Sequence, residues 1–218
     1  MAIFIALTFD DGTYHQYTLL RLLHRVNIKG TIFCVTNLER HPNTNEKLLI
    51  RKPKKLREIH RMGHEIGSHT CTHPRLIDVS PEELVFELRV SKEKLESIVG
   101  SEIKGFAYPY SLLNSKVKEE VQKYYSYART GLYKLQLWAK ETDLYRIPSF
   151  GFKKALTLPF SQIEIKHRKE PIIAVIMLHN IQRYLLLFLI RYLRFSLRAK
   201  FITMSEAINI LPSHDSFK

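Results

Sequence analysis

Cysteine is scarce in this sequence, with only Cys34 and Cys71 among 218 residues. Two cysteines cannot build the disulfide framework on which small secreted scaffolds depend, so that class of protein is excluded. Internal repeats and low-complexity stretches are missing as well, and the 11 tyrosines and 12 phenylalanines exclude a disordered class. We expect both cysteines to be buried thiols.

Long hydrophobic runs are also missing. The most apolar internal segment, residues 184–189, is flanked or interrupted by arginines and falls well short of a membrane span, which favours a half-buried helix. The opening run, residues 1–7, has no basic leader and is predicted to be a core strand with no signal peptide. We therefore expect a location in the cytoplasm or at the cytoplasmic face of the membrane.

Acidic residues are few: 21 Asp and Glu stand against 34 Lys and Arg, which gives a formal net charge of +13. Such a charge permits attraction to nucleic acid, anionic lipid or acidic glycans, although a solvated basic surface is the simpler explanation. Arginines in residues 183–198 motivate a nucleic-acid hypothesis, but no recognition motif is present. We expect no dedicated nucleic-acid partner and leave attraction to anionic surfaces open.

The sequence does contain enough material for a core, since 45% of its residues are apolar. Strand patterns cover residues 3–9, 31–35, 104–107, 125–130, 144–150, 172–178 and 200–203, and another strand ends near residue 69. Helix patterns cover residues 15–26, 54–61, 80–99, 114–124, 182–197 and 205–211. This alternation predicts one domain, residues 1–218, with a largely parallel sheet that is doubly wound or closed as a barrel.

The clearest helix signal is Ser80-Pro81-Glu82-Glu83. It predicts Ser80 as N-cap, Pro81 in the first turn and Glu83 as the capping-box partner. Gly100 is the predicted stop.

Polar side chains follow several of the predicted strands. Asp10 and Asp11 come after the first strand, and His69, Tyr110 and His179 come after later ones. Parallel strands end at the same edge of a sheet or barrel, where sites gather. We therefore expect these side chains to share one rim.

A metal site is predicted at this rim. His69 and His73 are four residues apart, so one helical turn would direct both imidazoles at one ion. His60 and His64 show the same spacing by chance, so a pair alone is weak evidence. One of the two adjacent carboxylates after the first strand would supply a third ligand and leave room for water, while the other removes the water's proton.

Four segments occur together in a telling order: residues 8–12 (Thr-Phe-Asp-Asp-Gly), 67–74 (Gly-Ser-His-Thr-Cys-Thr-His-Pro), 108–110 (Tyr-Pro-Tyr) and 178–179 (Leu-His). The set resembles the polysaccharide deacetylase family, also called the NodB-homology or carbohydrate esterase family 4 domain. Members remove acetyl groups from N-acetylated sugars. The resemblance, which covers nearly the whole chain, implies an α/β fold that is an irregular (β/α) barrel of about seven parallel strands, and an N-acetylated carbohydrate substrate.

The resemblance also implies roles for individual residues. Asp11, His69 and His73 resemble the metal ligands, with Zn²⁺ expected and Co²⁺, Ni²⁺ or Mn²⁺ also suited to this set. Asp10 resembles the base that takes a proton from water, and His179 the acid that protonates the leaving amine.

The third and fifth motifs imply the remaining contacts with the substrate. The backbone N–H of Tyr110, after Pro109, would stabilise the oxyanion. Leu178 would help wall the acetyl pocket.

Two departures from the family pattern concern the groups that tune the base and the acid. The third motif commonly begins with an arginine that orients the base, but Ala107 stands there, so Arg129 or Arg146 is a candidate to supply the charge. The fourth motif normally offers an aspartate and a tryptophan. Trp138 and Asp143 occur in reversed order, so packing and surface roles are predicted for both.

Two alternatives stay open. One is a hydrolase of a non-sugar linear or cyclic amide on the same scaffold, against which the intact metal triad argues. The other is a non-catalytic carbohydrate-binding relative, which the changed third and unclear fourth motifs motivate.

Overall fold

The structure is a computed structural model that describes residues 2–131, 143–156 and 171–210. Its strands are β1 (Ile3–Phe9), β2 (Thr31–Cys34), β3 (Glu65–Ser68), β4 (Gly105–Ala107), β5 (Tyr127–Gly131), β6 (Ile147–Gly151), β7 (Ile172–Leu178) and β8 (Lys200–Ile202). Its helices are α1 (Tyr14–Arg25), α2 (Pro53–Arg61), α3 (Pro81–Val99), α4 (Ser115–Tyr124), α5 (Phe152–Leu156), α6 (Arg183–Leu197) and α7 (Met204–Ile210).

The strands form a closed parallel barrel. Pairing runs from β2 through β3, β4, β5, β6 and β7 to β1, and β1 pairs back with β2. β7 follows β1 along its whole length, whereas β2 reaches only Thr8 and Phe9. β8 pairs with residues 4–6 of β1 instead. The prediction of an irregular barrel of about seven strands is therefore confirmed, and the doubly wound alternative is wrong.

The core has two layers, one between barrel and helices and one inside the barrel. Leu7, Phe9 and Leu19 belong to the first. Ala6 and Phe33 belong to the second, where small and large side chains fill the interior together. Strands buried on both faces read as continuous apolar runs, which explains why β1 shows no polar alternation.

The helix ends show where local sequence signals succeed. Ser80 is the N-cap of α3 and accepts a hydrogen bond from the backbone N–H of Glu83, and Gly100 ends the helix in the left-handed conformation. The reciprocal bond to the Glu83 side chain is not formed, so the predicted capping box was wrong at α3. A complete capping box instead begins α1, between Thr13 and Gln16.

Other differences from the sequence prediction are small. Most element bounds agree within about three residues, but α5 was not predicted. Cys34 and Cys71 are buried free thiols, as expected. Burial raises the pKa of Cys34 to about 12, which makes this thiol unreactive. Within the described ranges, none of the helices combines the length and apolar character needed to cross a bilayer.

Candidate functional site

A cavity of about 510 Å³ opens at the carboxyl ends of the strands. Its lining includes six residues that the sequence singled out, namely Asp10, Asp11, His69, His73, Tyr110 and His179. The rim predicted from the strand ends therefore exists. Pro109 and Leu178 lie beside it, both buried in the protein.

Backbone strain is concentrated at this cavity. Eight non-glycine residues of the described chain have positive φ, and five of them are Asp11, Thr70, His73, Tyr110 and Ser111. Such conformations cost about 1–3 kcal/mol each and persist only where the surroundings enforce them. Their clustering is a geometric sign of a functional site that does not depend on any sequence motif.

The turn after β1 directs the two carboxylates differently. Asp11 has φ 82° and Gly12 has φ 73°. A side chain at Gly12 would approach within 2.9 Å of Cys34 Sγ, so only glycine fits. Gln16 accepts hydrogen bonds from the N–H groups of Gly12 and Thr13 and donates to the Asp10 carbonyl, which ties the turn to α1.

The loop that carries His69 and His73 is not helical, contrary to the sequence prediction. Thr70 and His73 adopt left-handed conformations, with φ 68° and 62°. The N–H of His73 donates to Thr70 Oγ1 at 3.0 Å. The two imidazole centroids still lie 4.8 Å apart, so a strained loop produces the convergence expected from a helical turn.

Glu87 of α3 anchors this loop, and the sequence analysis missed it. Its carboxylate accepts hydrogen bonds from Cys71 N at 2.7 Å, Thr72 N at 3.0 Å and Thr72 Oγ1 at 2.6 Å. Glu87 is buried on the same helix face as Leu84 and Leu88. A carboxylate within an apolar helix face was the signal that could have identified it, since buried charges need partners.

Three imidazoles surround the Asp11 carboxylate. The distances to Asp11 Oδ1 are 3.7 Å from His69 Nε2, 3.7 Å from His73 Nε2 and 3.3 Å from His41 Nε2. Ring nitrogen Nδ1 of His69 donates to the Ala107 carbonyl at 2.7 Å, which leaves Nε2 unprotonated and facing Asp11. His41 was not predicted, because a single histidine in a polar loop carries no sequence signal.

The charge states suit a divalent cation. Burial lowers the pKa of His69, and it lowers that of His73 to about 3, so both rings are neutral at pH 7. Burial alone would raise the pKa of Asp11, but the neighbouring His41 and His69 lower it to about 2. An ionised carboxylate beside neutral imidazoles is the donor set of catalytic zinc sites.

Asp10 is bound by Arg129, which takes the place of the arginine missing at Ala107. The guanidinium NH2 donates to both carboxylate oxygens, and NH1 donates to Ser149 Oγ at 3.0 Å. Both partners are almost completely buried. Burial alone would raise the pKa of Asp10, but Arg129 above all lowers it, so Asp10 is ionised.

The other candidates for tuning lie away from the cavity. Arg146 is exposed in the turn before β6, at the opposite end of the barrel. Asp143 forms an ion pair with Lys118 at 2.9 Å, in agreement with its predicted surface role. Trp138 lies outside the described residues.

The remaining predicted residues surround the Asp10 carboxylate and the imidazoles. His179 Nε2 lies 3.7 Å from Asp10 Oδ2, and its side chain is half exposed. Tyr110 packs its ring against His73 at 4.7 Å between centroids. Leu178 is almost completely buried and lines the adjoining groove, whereas Met177, which the sequence did not single out, lines both the cavity and that groove.

A second, wider groove of about 830 Å³ begins at the same residues. Tyr110 and His179 line it together with Phe152 of α5 and Leu185 of α6. The polar cavity therefore adjoins a larger groove that includes apolar side chains of α5 and α6.

Comparison with known proteins places this geometry in a family. The sequence profile described as polysaccharide deacetylase matches residues 2–128. A peptidoglycan-N-acetylglucosamine deacetylase of Bacillus cereus is 32% identical over 118 residues, which cover 52% of this chain and 39% of the relative. A chitooligosaccharide deacetylase of Azorhizobium caulinodans is 27% identical over 122 residues, which cover 55% and 53%. The match thus spans about half or less of each relative's length.

Among solved structures, a family 4 acetyl xylan esterase from Clostridium thermocellum in complex with a cobalt ion has the same fold. The TM-score is 0.66 at 21% identity, with 95% of this chain and 90% of that chain covered. At this identity the likeness shows the fold alone. Together with the profile match over more than half of the sequence, it shows that the chain belongs to the polysaccharide deacetylase family.

Proposed function

We propose that the protein is a metal-dependent hydrolase that removes N-acetyl groups from a carbohydrate. The observation that carries the proposal is one cleft in which an ionised carboxylate and two neutral imidazoles converge beside a second, arginine-bound carboxylate. The relatives named as peptidoglycan and chitooligosaccharide deacetylases support an N-acetylated glycan as the substrate class.

Asp11, His69 and His73 would hold the metal, with Zn²⁺ as the first expectation and Co²⁺ next. Their charge states and convergence suit a divalent cation, as described above. A divalent ion at this position supplies Lewis-acid polarisation of a carbonyl oxygen and lowers the pKa of water.

Asp10 would act as the base. Its ionised carboxylate can take a proton from the attacking water, and Arg129 fixes the orientation of that carboxylate. Asp10 lines the cavity, so a water molecule held there can reach its carboxylate.

His179 would act as the acid. Its Nε2 lies 3.7 Å from Asp10 Oδ2, its side chain is half exposed and lines the cavity, and it can protonate the departing amine. The backbone N–H of Tyr110, in its left-handed turn, would donate to the oxyanion.

The direct test is a deacetylation assay on N-acetylglucosamine oligomers and peptidoglycan fragments, with Zn²⁺ or Co²⁺ added and released acetate measured. Asp10→Asn and His179→Gln should each lower kcat by about 10²- to 10⁴-fold. Asp143→Asn makes the same chemical change as Asp10→Asn at the opposite end of the barrel and should leave kcat unchanged. Release of no acetate from any N-acetylated sugar by the metal-loaded protein would refute the proposed function.

A further inference from the structure

His41 is a third imidazole at the proposed metal site, and its role differs from that of its neighbours. By distance alone it belongs to the ligands, because the donor atoms of Asp11, His41 and His73 all lie within 4.8 Å of one another. Distance does not show, however, which ring nitrogen carries a proton. The hydrogen bonds that each ring makes identify the protonated nitrogen.

The Nδ1 atom of His41 is an acceptor. The backbone N–H groups of Asn43 and Thr44 donate to it at 3.3 Å and 3.2 Å. A neutral imidazole has one proton, so neutral His41 carries it on Nε2, a buried atom that lies 3.3 Å from Asp11 Oδ1 and has no hydrogen-bond partner of standard geometry. Binding a metal through Nε2 while Nδ1 accepts these bonds would require an imidazolate anion.

His69 shows the opposite arrangement. Its Nδ1 faces a carbonyl oxygen and is the donor, so the lone pair of Nε2 is available to a metal. This is the usual geometry of a metal-bound histidine, in which the second nitrogen donates to an oxygen. The two rings point the same atom at Asp11, but one presents a lone pair and the other a proton.

We propose that His41 is a positioning residue that donates its Nε2–H to Asp11 and orients that carboxylate for the metal, without being a ligand itself. The proposal rests on the metal site proposed above. The loop that carries His41 is anchored on both sides of the cleft, by Asn43 Nδ2 donating to Tyr110 Oη at 3.4 Å and by Asn180 Nδ2 donating to Glu46 at 2.9 Å. The donor is therefore held over Asp11 by contacts on either side.

The test uses a pair of substitutions and two readouts that do not depend on activity. His41→Asn keeps an acceptor near Nδ1, so the turn is preserved, but removes the donor to Asp11. His41→Gln keeps an N–H near the position of Nε2. We expect Zn²⁺ affinity in competition titrations to fall about 10- to 100-fold in His41→Asn and to recover most of this loss in His41→Gln.

X-ray absorption of the Zn²⁺-loaded protein counts the histidine ligands. We expect two in the wild type, two in His41→Asn and one in His69→Ala. Three in the wild type, falling to two in His41→Asn, would show that His41 is a ligand and overturn the proposal, as would unchanged affinity in both His41 variants. A wild-type protein that binds no Zn²⁺ would instead refute the metal site itself, and this proposal with it.

A second inference concerns the exposed face of α6. Four of the seven exposed large apolar side chains in the described ranges lie on this helix: Tyr184 (66% exposed), Leu187 (39%), Phe188 (57%) and Phe195 (78%). The helix buries Leu186, Leu189, Ile190 and Leu193 on its other side. Large apolar side chains that are exposed together on one face mark sites of protein or membrane interaction.

Arginines share this face with the aromatic side chains. Arg191 lies between Phe188 and Phe195 on the helix surface, and its guanidinium is 5.6 Å from the Phe195 ring centroid. Arg183 and Arg198 are exposed on the adjacent stripe, and α6 contains no acidic residue. Two copies of this face would oppose arginine to arginine, which disfavours self-association and favours an anionic partner.

We infer that the exposed face of α6 docks on a bilayer that contains anionic lipid. Aromatic rings beside arginines match the interface between headgroups and acyl chains, where the rings insert and the cations meet phosphate. The helix starts four residues after His179, and its Leu185 lines the apolar groove. Docking would place the groove next to the lipid surface. This inference does not depend on the proposed reaction.

Co-sedimentation with vesicles of phosphatidylcholine, with and without phosphatidylglycerol, tests this inference. We expect binding only to the anionic vesicles. Replacing Arg183 and Arg191 by Gln should weaken it about 30-fold, and replacing Phe188 and Phe195 by Ser should weaken it at constant charge. The matched control removes two positive charges from α2 instead, as Lys54→Gln with Arg61→Gln, and should have little effect on vesicle binding.

Several outcomes would overturn the inference. Equal losses in the α2 and α6 variants would mean that net charge alone drives binding. A dimer in sedimentation velocity that the α6 variants dissolve, without vesicle binding, would assign the face to a second copy. Salt-sensitive DNA binding through the same arginines, again without vesicle binding, would assign it to nucleic acid.

Discussion

Arg129 shows at the scale of a single residue how a changed motif is compensated. Ala107 stands where the family pattern has the arginine that orients the base. The positive charge comes instead from Arg129 on the neighbouring strand β5, which pairs in register with Ala107. Since the two positions are neighbours on paired strands, a guanidinium on β5 reaches the same carboxylate that an arginine at position 107 would reach.

Replacing Arg129 should affect both the reaction and stability. In Arg129→Gln the Asp10 carboxylate loses its main counter-charge, so its pKa rises and the acid limb of the kcat/KM profile moves to higher pH. Leaving a buried charge unpaired should also cost about 3–5 kcal/mol in the free energy of unfolding. Arg129→Lys keeps the charge without the planar fork and should lose less stability.

Arg146→Gln is the matched control for these variants, because it removes a guanidinium from an exposed turn. We expect its pH profile and free energy of unfolding to equal those of the wild type. An acid limb that stays in place in both Arg129 variants would contradict the assignment of Arg129 to Asp10.

His64 makes the stability of the metal-free protein depend on pH. Burial lowers its pKa to about 4, from the ordinary histidine value of 6.5. Below pH 6.5 the unfolded chain binds a proton that the folded chain does not bind until about pH 4. The free energy of unfolding should therefore fall over this window, by about 2–3 kcal/mol from His64 alone.

His64→Asn, which keeps an acceptor for the Gly30 N–H that His64 Nδ1 binds at 3.1 Å, should show a flatter dependence between pH 6.5 and 4 in urea unfolding with chelator. His60→Asn removes the other histidine of this spacing, which contacts Ser101 at the surface, and should retain the wild-type slope. Equal slopes in the two variants would rule out the assignment to His64.

At the scale of a single element, helix α3 holds the loop of the candidate site in place through Glu87. Its buried face packs against β3, and Glu87 on that face binds the loop between His69 and His73. The N-cap and the stop of α3 were predicted from local chemistry, because capping residues act within one turn. The contact of Glu87 was not predicted, because it joins parts of the chain that only the fold brings together.

Replacing Glu87 should destabilise the conformation of the loop that carries His69 and His73. Glu87→Gln turns one acceptor oxygen into an N–H donor facing the donors of Cys71 and Thr72, so at least one charge-assisted bond is lost, at about 1.5–3 kcal/mol. We expect Zn²⁺ affinity to fall about 10- to 100-fold. Glu93→Gln, on the exposed side of the same helix, should change neither quantity, and a Glu87 variant with wild-type Zn²⁺ affinity would disprove the anchoring role.

The same contrast explains what the sequence could predict of the fold and site. Strands β1 and β7 and helix α4 were located within about one residue, because apolar runs and cap residues are local signals. The helical turn at His69–His73 was wrong, because left-handed Thr70 and His73 are enforced by tertiary contacts. The approach of His41 to within 3.3 Å of Asp11 could not be predicted for the same reason.

At the scale of the whole molecule, metal binding should stabilise the folded barrel by mass action. With free Zn²⁺ at about 100 times its dissociation constant, the gain is about 2.7 kcal/mol, which corresponds to about 5–10 °C in Tm. Asp11→Asn should abolish this shift. Mg²⁺, which prefers oxygen ligands, should produce none in the wild type, and an equal response to both ions would contradict a site built from imidazoles.

Strand β1 pairs both with β2, which follows it closely in the sequence, and with β7 and β8, which are far from it in the sequence. This has a consequence for folding kinetics. The proposed metal ligands lie between residues 11 and 73, whereas Asp10 meets Arg129 across a separation of 119 residues and meets His179 only when β7 pairs with β1. Contacts of such long range carry the largest loop-closure entropy and form slowly. We therefore expect the proposed ligand set to assemble early and the proposed base and acid to meet last, so that the candidate site is complete only in the finished barrel.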